Sequence, residues 1–148
     1  VCPTSNFFLG SGQFDFAAAM EQGICHGLAS DVGGGTSFSP FKTMLAAHFA
    51  ARSSSQSRSH AKRGITLQPQ QLWWLHTAGA ARCLGLDGVV GNLQPGCDAD
   101  FVLLNPLATP LLARRTARAT SLDELLFAMI VLGDDRVVQA THLAAALP

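Results

Sequence analysis

The hydrophobic positions fall into short unbroken blocks and stripes at helical spacing, separated by clusters of Gly, Pro, Ser and Asn. Residues 24–29, ICHGLA, form a short and mostly apolar block, which predicts a buried strand. Ahead of it, residues 14–22 predict a short helix stopped by Gly23. Residues 4–12, with Asn6, Gly10 and Gly12, predict a loop, and Val1 and Cys2 predict the tail of a strand that Pro3 would end. Downstream, Ser39 as N-cap and Pro40 at the first helical position open a helix to about Arg52. Its apolar face carries Phe41, Met44, Leu45, His48 and Phe49. The resulting β-α-β-α order is that of a parallel sheet or barrel.

The second half changes texture. Residues 53–64, SSSQSRSHAKRG, are polar and basic without periodicity, which fits a solvated connector or an anion-binding patch. Pro69 opens a helix that carries Trp73, Trp74 and Leu75 and runs through the small residues 78–81 to Gly85. Gln94-Pro95-Gly96 predicts a turn, and residues 99–104, ADFVLL, a strand stopped by Asn105-Pro106. Ser121 and Glu124 form a capping-box pattern ahead of Leu122, Leu125, Leu126, Met129 and Ile130, with Gly133 past the end. Residues 137–143 predict a last strand.

Composition adds bounds. The 148 residues, 48% of them hydrophobic, suffice for one ordinary domain with a sizeable core. No apolar run approaches membrane-spanning length, and no signal peptide is visible. The start at Val1, in VCPTSN, implies a fragment or a cropped chain. Ten basic and ten acidic residues cancel, which argues against a polyanion partner such as nucleic acid. Cys2, Cys25, Cys83 and Cys97 lie far apart with no Cys-x-x-Cys, so the expectation is four reduced thiols in a cytosolic protein.

The stretch SDVGGGTS, residues 30–37, holds the candidate chemistry. Asp31 sits where a predicted strand ends and a loop leads into a helix, beside three glycines that allow close approach. A carboxylate there suits a metal ligand or a general base, and equally an N-cap or a turn-forming aspartate. The glycines could also cradle a phosphate at a helix N-terminus, although they fit neither common phosphate-binding spacing. The five histidines show no local metal spacing. His26, inside the predicted strand, would either touch a site or be a satisfied core histidine, and Cys2 is a weak nucleophile candidate.

Four segments together carry a resemblance: CPTSNFFLGSG (2–12), GLASDVGGGTSFS (27–39), TAGAARCLGLDGVVGNLQPGCDADFVLLNP (77–106) and LGDDR (132–136). In this order they resemble the C-terminal third of guanine deaminases, zinc-dependent members of the amidohydrolase superfamily. The resemblance implies an α/β fold, a distorted (β/α)8 barrel with a small β-sandwich. Residues 1–90 would be the C-terminal part of the barrel, with its last two strands and helices. Residues 91–148 would be sandwich strands with an intervening helix. Val1 and Cys2 would end the seventh barrel strand and residues 24–30 would be the eighth, with Asp31 at the C-terminal rim where barrel active sites are built.

The resemblance further implies that Asp31 is a zinc ligand, a catalytic proton acceptor and a substrate contact. The reaction would hydrolyse guanine to xanthine and ammonia in a cytoplasmic homodimer with one zinc per site and no membrane or nucleic-acid partner. The family's His-x-His, its later histidines and its catalytic glutamate have no counterpart here. The isolated chain would therefore be inactive. Ser30 stands where relatives usually have Thr, and the tail LAAALP departs from the expected Val-x-Gly strand. Two other readings stay open: an aminohydrolase for a different heterocycle, and a non-catalytic remnant.

Overall fold

The computed structural model describes residues 1–53 and 57–145. Residues 54–56 of the predicted connector and 146–148 of the tail lie outside the described residues. Seven α-helices are described: α1 Pro3–Leu9, α2 Phe16–Glu21, α3 Pro40–Ser53, α4 Pro69–His76, α5 Ala78–Cys83, α6 Pro110–Thr116 and α7 Leu122–Leu132. Two strands, β1 Ala99–Leu104 and β2 Val138–Ala145, pair antiparallel, with a 3-10 turn at Asp135–Val137 before β2.

α3 organises the core. Phe41, Met44, Ala47, Ala50 and Ala51 are buried on it and pack with Leu67, Leu72, Leu75, Leu112, Met129, Ile130 and Val137. The buried stripe is rotated from the expected face, because alanines let neighbouring elements approach. Leu45 and His48 are half-buried and Phe49 is exposed.

Residues 4–12, expected as a loop, instead begin with α1. Pro3 at the first helical position and Gly10 in the left-handed conformation (φ 67°) bound it. Its polarity is inverted: Pro3, Thr4 and Ser5 are buried while Phe7, Phe8 and Leu9 are exposed. That inversion hides the helix from an apolar-periodicity reading.

The expected helix from Pro69 to Gly85 is two helices, broken at Thr77 (φ −127°, ψ −105°). A Cβ on Gly79 would lie 2.6 Å from the Trp74 ring, so only glycine lets the chain fold back beside the indole. The helix α6 carries a readable start, Thr109-Pro110, in which the Thr109 hydroxyl accepts from Leu112 N at 3.3 Å. At α7 the Ser121 hydroxyl accepts from Glu124 N, as expected, but the Glu124 carboxylate accepts from Thr120 N rather than closing the box on Ser121.

The strands at 99–104 and near 137–143 are found where expected, and Phe101 stacks on His142 across the pair at 4.5 Å. Residues 24–29 form no regular strand. Instead Gly27 O accepts from the Val1 amine at 2.7 Å and Val1 O accepts from Ala29 N at 3.0 Å. One residue bonding to both neighbours of Leu28 is the parallel-ladder pattern. Among the described residues this pairing is one residue long. Leu28 N points the other way and donates to Leu75 O at 2.8 Å.

The described part of the connector is clamped by two carboxylates. Asp15 caps α2 through Ala18 N and also accepts from the Ser57 hydroxyl and Arg58 N. Glu21 accepts from His60 N and pairs with its ring at 3.0 Å. Partial burial pushes the Asp15 carboxyl up, but the Ala18 and Arg58 amides and the Ser57 hydroxyl outweigh it and hold the carboxyl below its ordinary range. The His60 amide chiefly, with its ring, lowers Glu21 as well. Carboxyls depressed in the folded state add stability above their unfolded values, and that stability is lost as pH falls through the folded ones. Urea midpoints should therefore drop as pH falls below about 4. Asp15→Ala should cost about 1–2 kcal/mol at neutral pH, as loss of a helix cap does. A variant within error of the parent would show that this clamp is not coupled to the fold.

Candidate functional site

Asp31 lies three residues past Leu28, so the Val1 pairing and the Leu28–Leu75 bond fix the stem from which it projects. Its backbone is left-handed, φ 48°, a conformation that Asp tolerates better than most residues. Gly33, at φ 111°, takes a conformation open essentially to glycine. Gly35 N donates to Asp31 O and closes the loop, and Gly33 N donates to Gly35 O at 3.3 Å.

The glycines answer to close approach. A Cβ on Gly35 would lie 1.9 Å from Ser30 O and 3.0 Å from the Thr4 hydroxyl. A Cβ on Gly34 would lie 2.9 Å from Asp31 Oδ2 and 3.0 Å from the Ser5 hydroxyl. The Asp31 carboxylate thus folds over the bare Gly34 backbone, above the first turn of α1. The Thr4 hydroxyl donates to Ser30 O at a long 3.4 Å. Asp31 is exposed, and among the described residues no hydrogen bond or ion pair engages its carboxylate. It caps no helix. The alternative of an N-cap is excluded; that of a turn former accounts for its backbone but leaves its carboxylate unused.

Thr4 and Ser5 are the contributors that the loop expectation for residues 4–12 concealed. The start Pro3-Thr4-Ser5 was their signal, since Pro favours a first helical turn. Beside them a groove of about 360 Å³ runs between α1, the loop and α3, lined by Thr36, Ser37, Lys42 and Phe49 among others. The phosphate cradle gains nothing: Ser39 N is bonded to the Ser37 hydroxyl at 3.0 Å.

The histidines scatter. His26 Nδ1 lies 2.7 Å from Ile24 O and must donate to it, while its ring packs on Phe14 and Phe16. It is a packed residue. His48 lies against Phe127, burial pushes the His76 imidazole down, and His142 is on β2. Among the described residues no three His, Cys, Asp or Glu side chains converge on a possible metal position, and no helix is long and apolar enough to cross a membrane.

The sequence model of the Amidohydrolase family matches residues 1–144. The chain belongs to that family. Within the amidohydrolases it is 38% identical to guanine deaminase of Escherichia coli (strain K12) over 99% of its length, but spans only 31% of that protein. The solved structure of the E. coli guanine deaminase superposes with a TM-score of 0.87 over 97% of this chain and 31% of that one, at 37% identity. A guanine deaminase from C. acetobutylicum with bound guanine in its active site superposes at 0.77 and 28% identity, over 97% of this chain and 32% of that one. An adenosine deaminase from Xanthomonas campestris with bound zinc shares the fold at 0.74 and 20% identity, over 97% of this chain and 30% of that one. The chain thus spans about a third of the length of these named relatives.

The two adjacent glycines should separate stability from side-chain placement. Gly35→Ala drives a methyl into backbone and should destabilise by about 1–3 kcal/mol in urea unfolding. Gly34→Ala meets the ends of two side chains, so it should stay within about 0.5 kcal/mol while displacing the Asp31 carboxylate. Equal losses for both would contradict this geometry.

Proposed function

We propose that the chain is the C-terminal part of a zinc-dependent guanine deaminase, in which Asp31 is both a metal ligand and a proton acceptor. One observation carries this reading. A carboxylate with no partner among the described residues is held at the end of a segment paired in parallel with Val1, in the loop that matches guanine deaminases.

The donor chemistry fits one ligand. An exposed, unengaged carboxylate on a stem fixed by backbone bonds can bind a borderline metal ion without first breaking an ion pair. Catalytic zinc takes three protein ligands and one open position, so the remaining ligands belong to segments that this chain does not span. Bound zinc supplies Lewis-acid chemistry, which lowers the pKa of water toward neutrality. In guanine hydrolysis water adds at the ring carbon bearing the amino group, ammonia leaves and xanthine results. Asp31 accepts the proton of the attacking water, and the loop glycines keep the approach to its carboxylate open. Residues 1–90 complete the barrel and residues 91–148 contribute to a β-sandwich through β1 and β2. The whole enzyme acts in the cytoplasm as a homodimer.

The test uses the full-length protein that carries this chain. Asp31→Asn keeps the shape and removes the charge, so turnover of guanine, followed by absorbance at fixed added zinc, should fall by about 10²–10⁴-fold. Unfolding by urea should barely change. Near-normal turnover would make the loop a structural turn. The 148-residue chain alone should show no deamination.

A further inference from the structure

Ser5 brings a hydroxyl to the Asp31 loop that none of the loop's own bonds uses. The residue is only 4% exposed, in the first turn of α1. Thr4 beside it donates to Ser30 O, and Asn6 N donates to Cys2 O at 2.9 Å, so the turn that carries Ser5 is held in place. Among the described residues no hydrogen bond engages the Ser5 hydroxyl. One point in space locates it against Asp31. A Cβ on Gly34 would lie 3.0 Å from Ser5 Oγ and 2.9 Å from Asp31 Oδ2, so the two oxygens flank the same bare backbone. A buried hydroxyl without a partner is unfavourable, and a carboxylate is the strongest kind of acceptor it can meet.

We propose that Ser5 is a positioning residue for Asp31: in the full-length enzyme its hydroxyl donates to the Asp31 carboxylate across the bare Gly34 backbone. The inference rests on the proposed role of Asp31. The donor is fixed by α1, whereas the acceptor is a side chain with no other hydrogen bond among the described residues, so a turn about the Asp31 side-chain bonds closes the contact. A carboxylate offers about four acceptor sites, so this bond leaves sites free to hold a metal ion or to take a proton. What Ser5 supplies is direction. Without it the carboxylate turns about its Cβ–Cγ bond and presents either oxygen. With it one orientation is kept, as ligands and bases require. Gly34 serves the same contact, because a methyl there would stand against both oxygens.

The test uses the full-length protein that carries this chain. Guanine turnover and urea unfolding are measured for Ser5→Ala, Asp31→Asn and the double variant, beside a zinc-bound crystal structure of the parent. In the crystal Ser5 Oγ should lie about 2.5–3.0 Å from an Asp31 carboxylate oxygen. Ser5→Ala should lower kcat about 10–100-fold, with KM and the urea midpoint little changed. Added to Asp31→Asn it should cost almost nothing more, because Ser5 acts only through that carboxylate. A merely structural role would instead lower the urea midpoint and multiply with the Asp31→Asn loss. Either of those results, near-normal turnover of Ser5→Ala beside a crippled Asp31→Asn, or a Ser5 hydroxyl bonded elsewhere in the crystal would overturn the proposal and leave the role of Asp31 standing. Near-normal turnover of Asp31→Asn would overturn both, and that variant alone reports it.

Discussion

Two backbone hydrogen bonds join Val1 to the segment that ends at Asp31, one into Gly27 O and one from Ala29 N. They flank Leu28, whose own N–H turns away to Leu75 O and whose side chain is buried in the core. Three constraints therefore converge on one residue, and Asp31 follows it by three positions. A carboxylate on a free loop would sample many positions; here its stem is set by backbone bonds and core packing. That is the condition for a side chain to serve as a ligand or a base, because such roles tolerate little displacement.

The loop beyond the stem is shaped by exclusion of side chains. Gly35 has no room for a methyl against Ser30 O, and Gly34 lies bare beneath Asp31 Oδ2. Buried Thr4 and Ser5 bring hydroxyls to the loop from below, on a helix whose aromatic residues face outward. Exposed Phe7, Phe8, Phe38 and Phe49 lie on or around this region. The chain spans about a third of the length of the guanine deaminase of Escherichia coli, and this exposed apolar cluster lies beside the Asp31 loop.

How much of this was legible in the sequence depended on whether local signals and burial agreed. α7 and β1 were readable because caps, turns and apolar spacing point the same way. α1 was not, since its buried face is Pro-Thr-Ser and its aromatics are exposed. The break at Thr77 was hidden because alanine and glycine fit a helix as well as a close turn, and only Trp74 decides between them. The segment 24–29 looked like a strand, and among the described residues its strand-like pairing is with Val1 alone. The close-packed turn at Asp31 was legible from its glycines. Its open carboxylate was not, because whether any side chain engages it is a property of the fold.

The most direct measurement is anomalous diffraction at the zinc edge from crystals of the full-length protein that carries this chain. A peak is expected at bonding distance, about 2.0–2.2 Å, from a carboxylate oxygen of Asp31. A fully occupied zinc elsewhere, with the Asp31 loop ordered and its carboxylate facing solvent, would contradict it.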